Sequence, residues 1–136
     1  MSQIINVFKE LDINKPVKYV ETLSIKDGVE CDVYEFIEDK SIDLAIVRVK
    51  KGSSTPLQRV LSGTKTIEGH IDGEGTFTIT NVSGIKQVYS FGNDATHKPM
   101  QVKIGECMQW IATTDLTFFE ICDPPYEDGR FENIKE

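Results

Sequence analysis

The run Lys65-Thr66-Ile67-Glu68-Gly69-His70-Ile71-Asp72 holds the residues best suited to chemistry. Side chains of a strand alternate between its two faces, so Thr66, Glu68 and His70 share one side. Glu68 and His70 then lie about 7 Å apart, close enough to serve one ligand. An imidazole beside a carboxylate exchanges protons near neutral pH, which is what a general acid and base require. The plainer reading puts His70 at a rim, beside the Asp72-Gly73-Glu74-Gly75 hairpin, bonded to water or to Glu68. His97 sits in a polar run and is either a solvated loop residue or a cap over a binding mouth. Arg48 and Arg59 have the charge to meet an anionic ligand, but alternation turns Arg59 away from Gln58, toward solvent or an interface. Trp110 and Tyr89 read as core or interface aromatics. Cys31, Cys107 and Cys122 are odd in number and form no CxxC pair. That excludes a disulfide framework and a structural zinc site, and fits a reducing compartment. Cys107 and Cys122 lie in apolar runs with no His and Asp arranged to activate them, as small buried thiols do.

The elements that must position these groups are strands. Alternating or apolar runs recur at short intervals: "VKYVETLSI", "VECDVYEFI", "LAIVRVKKG", "TPLQRVL", "TKTIEGHI", "TFTITNV", "KQVYSF", "MQVKI", "CMQWIA" and "DLTFFEIC". Turn residues such as Lys26-Asp27-Gly28 and Gly52-Ser53-Ser54 separate them. About ten short strands without a convincing long helix predict an all-β sandwich or closed barrel. In "LAIVRVKKG" both faces carry apolar side chains, so burial on each is expected. Ile4, Phe8 and Leu11 are spaced for a short N-terminal helix, although a strand accommodates the same run. Beyond Pro124-Pro125 the chain is charged. It reads as an irregular strap docked through Tyr126, Phe131 and Ile134, and it lacks the Pro-Pro-x-Tyr spacing of a recognition motif.

A chain of 136 residues suits one domain, residues 1–136, with a barrel core over about 44–122. Its 22 acidic against 15 basic side chains give a net charge of -7, which disfavours nucleic acid and anionic membrane surfaces as partners. The opening residues show no basic leader with an apolar run, and no apolar stretch approaches about 18 residues, so the expected location is cytoplasmic.

From Leu44 to Cys122, the order of a glycine, a "TPL" strand, a return strand, a "GEG" hairpin and a glycine-led strand pair ending in "DLTFFEI" resembles the cupins. The resemblance implies a double-stranded β-helix, or jelly-roll, barrel. The ending "CDPPYEDGRFENI" is similar to the tails of a group of small cupin-like proteins. Set on Gly52, Gly73 and Gly105, the family's metal-ligand positions hold Gln58, Val60, Thr66 and Met108 in place of three histidines and a glutamate. Imidazole and carboxylate normally supply the binding energy for such ions, so no metal and no cofactor is expected.

Three readings follow. In the first, the barrel binds a small organic molecule among Gln58, Val60, Thr66, Glu68, His70 and Met108, or is a packed core. The second is a metal-independent sugar isomerase or epimerase using His70 and Glu68 for proton transfer. The third keeps a metal through His70, Glu68 and His97, with the loop from Gly92 to Lys98 folded over the mouth. The family resemblance also implies a homodimer.

Overall fold

The structure, a computed structural model, describes residues 2–4, 16–92 and 98–135. Its elements are β1 (Ser2–Ile4), β2 (Pro16–Lys26), β3 (Val29–Phe36), β4 (Asp43–Val49), β5 (Gln58–Val60), β6 (Lys65–Asp72), β7 (Gly75–Thr80), β8 (Lys86–Phe91), β9 (Met100–Val102), β10 (Cys107–Ala112), β11 (Leu116–Asp123) and β12 (Phe131–Asn133). Phe8, Leu11 and His97 fall outside the described residues, and Ile4 lies in a strand rather than a helix. Seven strands form one sheet in the order β1-β2-β3-β4-β11-β6-β9, and five form the other in the order β12-β5-β10-β7-β8. The two sheets face each other as a jelly roll.

The middle of the seven-stranded sheet, β4 and β11, buries side chains on both faces, as the double apolar alternation of β4 predicts, whereas β2 is largely exposed. The sheet's inner side contributes Val29, Val47, Val49, Leu116 and Phe118 to a core shared with Val60, Phe77, Met108 and Trp110 of the other sheet. Its outer side collects Phe36, Leu44, Phe119 and Ile121 in a second cluster. Gly69 belongs to that outer side because a Cβ there would run into the Phe119 ring. Inside the barrel the Trp110 indole stacks between Phe77 and Phe118, each ring centroid 4.5 Å away. Burying such rings gives the interior most of its apolar contact. Val29 and Cys31 of β3 and Phe131 of β12 also pack into this core.

The tail docks as a strap that ends in a short strand. Phe131–Asn133 pairs antiparallel with Gln58–Val60 at the edge of the five-stranded sheet. Tyr126 stays half-exposed, with its ring 5.8 Å from that of Phe131. The anchor is Arg130, only 3% exposed. Its Nη1 donates to the Pro124 carbonyl (2.8 Å), and its Nη2 to the Lys65 carbonyl (2.6 Å) and Thr66 Oγ1 (3.1 Å). A guanidinium is suited to this task because its planar fork bridges several acceptors that a single ammonium could not reach together. Arg130→Ala should therefore lower stability by roughly 3 kcal/mol in chemical denaturation, as several buried acceptors lose their donor, with Arg130→Lys recovering only part. Equal stability in all three proteins would mean that the strap is held by β12 alone.

Candidate functional site

The inner side of the seven-stranded sheet carries one row of directly opposed residues. Register places Val33 opposite Ala45, Ala45 opposite Glu120, Glu120 opposite Glu68, and Glu68 opposite Met100. Strands β3, β4, β11, β6 and β9 thus bring two carboxyl groups together between apolar side chains. Glu68 is 1% exposed and Glu120 half-buried. Trp110 Nε1, crossing from the opposite sheet, donates to Glu68 Oε1 at 2.9 Å. Oε2 of Glu68 receives no N–H donor, and the carboxyl's other partner is the Glu120 carboxyl, with which it is in hydrogen-bonding contact. Cys122 Sγ donates to Glu120 Oε1 at 3.5 Å.

Burial, and then the charge and hydrogen-bonding contact of Glu120, push the Glu68 carboxyl well above the usual carboxylate range. Two carboxyls in contact cannot both be ionised in such a setting, so they hold one proton between them, and it resides on the fully buried Glu68. The same field reaches the neighbouring groups. Burial with the Glu120 charge raises the Cys31 thiol to about 12 and moves Cys122 up further. Burial thus disfavours the thiolate form of both. Asp43, half-buried at the end of β4, is also raised, by burial first, although it accepts the Tyr126 backbone N–H at 2.9 Å.

The residues singled out in the sequence are distributed around this pair. Thr66 and Glu68 point inward, as alternation requires. Thr66, however, is bonded by Arg130. His70 lies at the rim: its Nε2 donates to the Gly73 carbonyl (2.7 Å), and its ring stacks on Phe91 at 5.2 Å. Glu68 is thus engaged by Trp110 and Glu120, while His70 is engaged at the hairpin. The two members of the expected His70 and Glu68 pair thus each have partners of their own. Gln58 opposes Met108, and its Nε2 donates to Asn133 Oδ1 at 3.2 Å. Val60 and Met108 are buried in the core. Arg59 pairs with Glu132 on the outside, as alternation predicts, and Arg48 pairs with Asp32 and Glu30. A cavity of about 320 Å³ is walled by residues including Lys26, Glu30, Arg48 and Asp115, and one of about 200 Å³ by Val20, Val33, Glu35, Lys40, Asp43 and Pro125. None of the six expected lining residues borders either. Glu120 and Arg130 were missed. Their signal was a lone glutamate in the apolar "TFFEIC" run and a lone arginine in an acidic tail.

The four motif positions do not fit a divalent ion. Thr66 is held by Arg130, Gln58 by Asn133, and Val60 and Met108 offer no hard donor. Among the described residues no three His, Cys, Asp or Glu side chains converge as metal ligands. Nor is any helix there long and apolar enough to cross a membrane.

No protein-family model matches the chain, and no curated protein sequence does. Solved structures do. The oxalate decarboxylase of Lactobacillus farciminis, in a formate complex, superimposes with a TM-score of 0.66 at 14% identity over 87% of this chain. That of Bacillus subtilis, studied for its Mn(II) centres, gives 0.68 at 18% over 85%. The chain spans 33% and 30% of those two proteins. PAC13 from Streptomyces, solved as a variant with uridine, gives 0.64 at 16% identity, covering 87% of this chain and 90% of its own. These likenesses establish the cupin fold, a jelly roll, for this chain.

The acid pair makes stability depend on pH in a definite direction. Glu68 keeps its proton in the folded state at pH values where the unfolded chain has lost it. Stability should therefore fall as pH rises above the unfolded carboxylate value, by at most about 1.4 kcal/mol per pH unit, until folded Glu68 ionises. Glu68→Gln keeps an oxygen for Trp110 but has no proton to lose, so urea denaturation across this range should show a flatter profile. An unchanged slope would place the proton elsewhere.

Proposed function

We propose that this cupin-fold chain is a metal-independent binding protein for a small organic molecule, received on the inner side of the seven-stranded sheet against Glu68 and Glu120. The observation that carries this reading is the pair of carboxyls, one fully buried and one half-buried, that the register of β6 on β11 sets opposite each other between apolar side chains. Keeping two carboxyls away from water is costly, and polar atoms of a ligand would relieve that cost. Half-buried Val33, Ala45 and Met100 in the same row supply apolar contact on either side of the carboxyls. The cavity of about 200 Å³ shares Val33 with this row, and Asp43 with the groups that feel the Glu120 charge. Its volume suits a metabolite smaller than the drug-sized ligands of typical pockets, which run to about 300 Å³ and more. The missing ligand set at Gln58, Val60, Thr66 and Met108 supports metal independence.

A second reading is favoured by the shared proton. A carboxyl that holds a proton beside a half-exposed carboxylate has the parts of an acid and base, so the isomerase-like alternative moves from His70 to Glu120, with Glu68 as its partner. In either case the site is local to β6 and β11.

Protein purified without chelator should carry no stoichiometric transition metal on elemental analysis. A thermal-shift panel of metabolites, with uridine and formate from the neighbouring structures among them, should contain a compound that stabilises the wild type in proportion to its occupancy. The stabilisation reaches about 2.7 kcal/mol at a hundredfold excess over Kd. That effect should be lost in Glu120→Gln. A stoichiometric metal, or a broad panel with no stabilising compound, would overturn the proposal.

A further inference from the structure

The larger sheet ends in an open edge. Strand β2 is 11 residues long, and β3 pairs with it along one side from Val17 to Lys26. On the other side β1 reaches only Pro16, Val17 and Lys18. Among the described residues nothing bonds the backbone of Tyr19–Lys26 on that side. An edge of this length normally keeps other chains off with proline, charge or a shortened strand. β2 has no proline after Pro16, and Tyr19, Val20, Leu23 and Ile25 are each between 41% and 46% exposed. Bulges are another such device. Here, however, the residue added at each of the two register shifts on β3, Val20 or Ile25, presents an apolar side chain to water.

Charge along this edge is self-complementary. Register on β3 sets Glu21 opposite Val33 and Lys26 opposite Val29, so both belong to the sheet's inner side, with Leu23 between them opposite Cys31. Among the described residues neither Glu21 nor Lys26 forms an ion pair. The strand carries two lysines against one glutamate, in a chain whose net charge is -7. Two copies therefore approach along it without the repulsion that their acidic surfaces bring elsewhere.

We infer that this edge is completed by the same edge of a second copy, with β2 antiparallel to its partner's β2 about a twofold axis near Leu23. Such an interface is isologous, each copy offering the other the same donors, acceptors and side chains. Counting past the bulged Ile25, Lys26 comes opposite the partner's Glu21, and Glu21 opposite the partner's Lys26, so the twofold closes two ion pairs on one face. The backbone N–H and C=O groups that water satisfies in a single copy extend the ladder, as in strand addition, and the two larger sheets become one. A foreign peptide gains the same backbone bonds, but the spacing of glutamate and lysine is matched by the chain itself.

Sedimentation or light scattering on the full chain at micromolar concentration should give twice its mass of 15.3 kDa. Glu21→Lys should weaken dimerisation by on the order of tenfold, since it opposes like charges at two symmetric positions, and combining it with Lys26→Glu should restore association. Hydrogen exchange on the wild type needs no variant. The Tyr19–Lys26 amides that point away from β3 should be protected at high concentration and lose that protection on dilution. A monomer at high micromolar concentration would overturn the proposal. So would a dimer in which folded Glu21→Lys associates as tightly as the wild type, or edge amides whose exchange ignores concentration. A monomer with these amides protected would assign the edge to residues 5–15 of the same chain, and the proposal would fall with it.

Discussion

Glu68 places a carboxyl group inside an aromatic barrel, and the cost of keeping it there constrains everything around it. An ionised carboxylate withdrawn from water loses several kcal/mol even after the protein relaxes, so it must gain a cation, donors or a proton. Here Trp110 supplies one donor and Glu120 ensures that the pair keeps a proton. The stacking of Trp110 between Phe77 and Phe118 is therefore more than apolar packing, because it fixes the direction in which the indole N–H points. Misplacing that ring would remove the N–H donor and leave the Glu68 carboxyl with Glu120 alone.

The architecture provides the place for such a pair. Strand β11 runs between β4 and β6 in the middle of the larger sheet, with Phe119 and Ile121 in the outer cluster, Phe118 in the inner core, and Glu120 and Cys122 turned inward with Phe118. Because both faces of β11 are apolar, a slip of one residue in register would carry Glu120 outward without exposing more hydrophobic side chains. What pins the register is specific: Gly69 leaves room for the Phe119 ring, and the strap ties Lys65 and Thr66 to Arg130. The small residue on one face and the buried guanidinium at the end of β6 thus hold the two carboxyls opposite each other.

Much of this arrangement is legible in the chain. Strand periodicity and turn residues suffice for the jelly roll, and alternation along β6 suffices to turn Thr66 and Glu68 inward. The partners are not legible for a physical reason. Glu68 and Glu120 are far apart in sequence and meet only through the register of β6 on β11, which is a tertiary property. Proximity along one strand suggests His70 instead, but a nearby turn carbonyl and the Phe91 ring take that side chain at the rim. Arg130 stands among Glu127, Asp128 and Glu132 in what reads as a solvated charged tail. Its burial depends on backbone carbonyls, and composition carries no trace of those.

The acid pair and a metal cage answer the same difficulty from neighbouring positions. In a metal-binding arrangement of this fold the carboxylate would stand at Thr66, ionised and satisfied by the cation. In this chain Thr66 takes a hydrogen bond from an internal cation, Arg130, and the carboxyl stands two residues along the same inward face, at Glu68. Two residues along β6 is enough to move it away from the strap and opposite Glu120. A divalent ion bound between two such groups would still need further ligands, whereas a proton needs only the two oxygens. The proposed metal independence therefore has its origin in this pair: two carboxyls are too few ligands for a metal, whereas one proton is enough to keep them together.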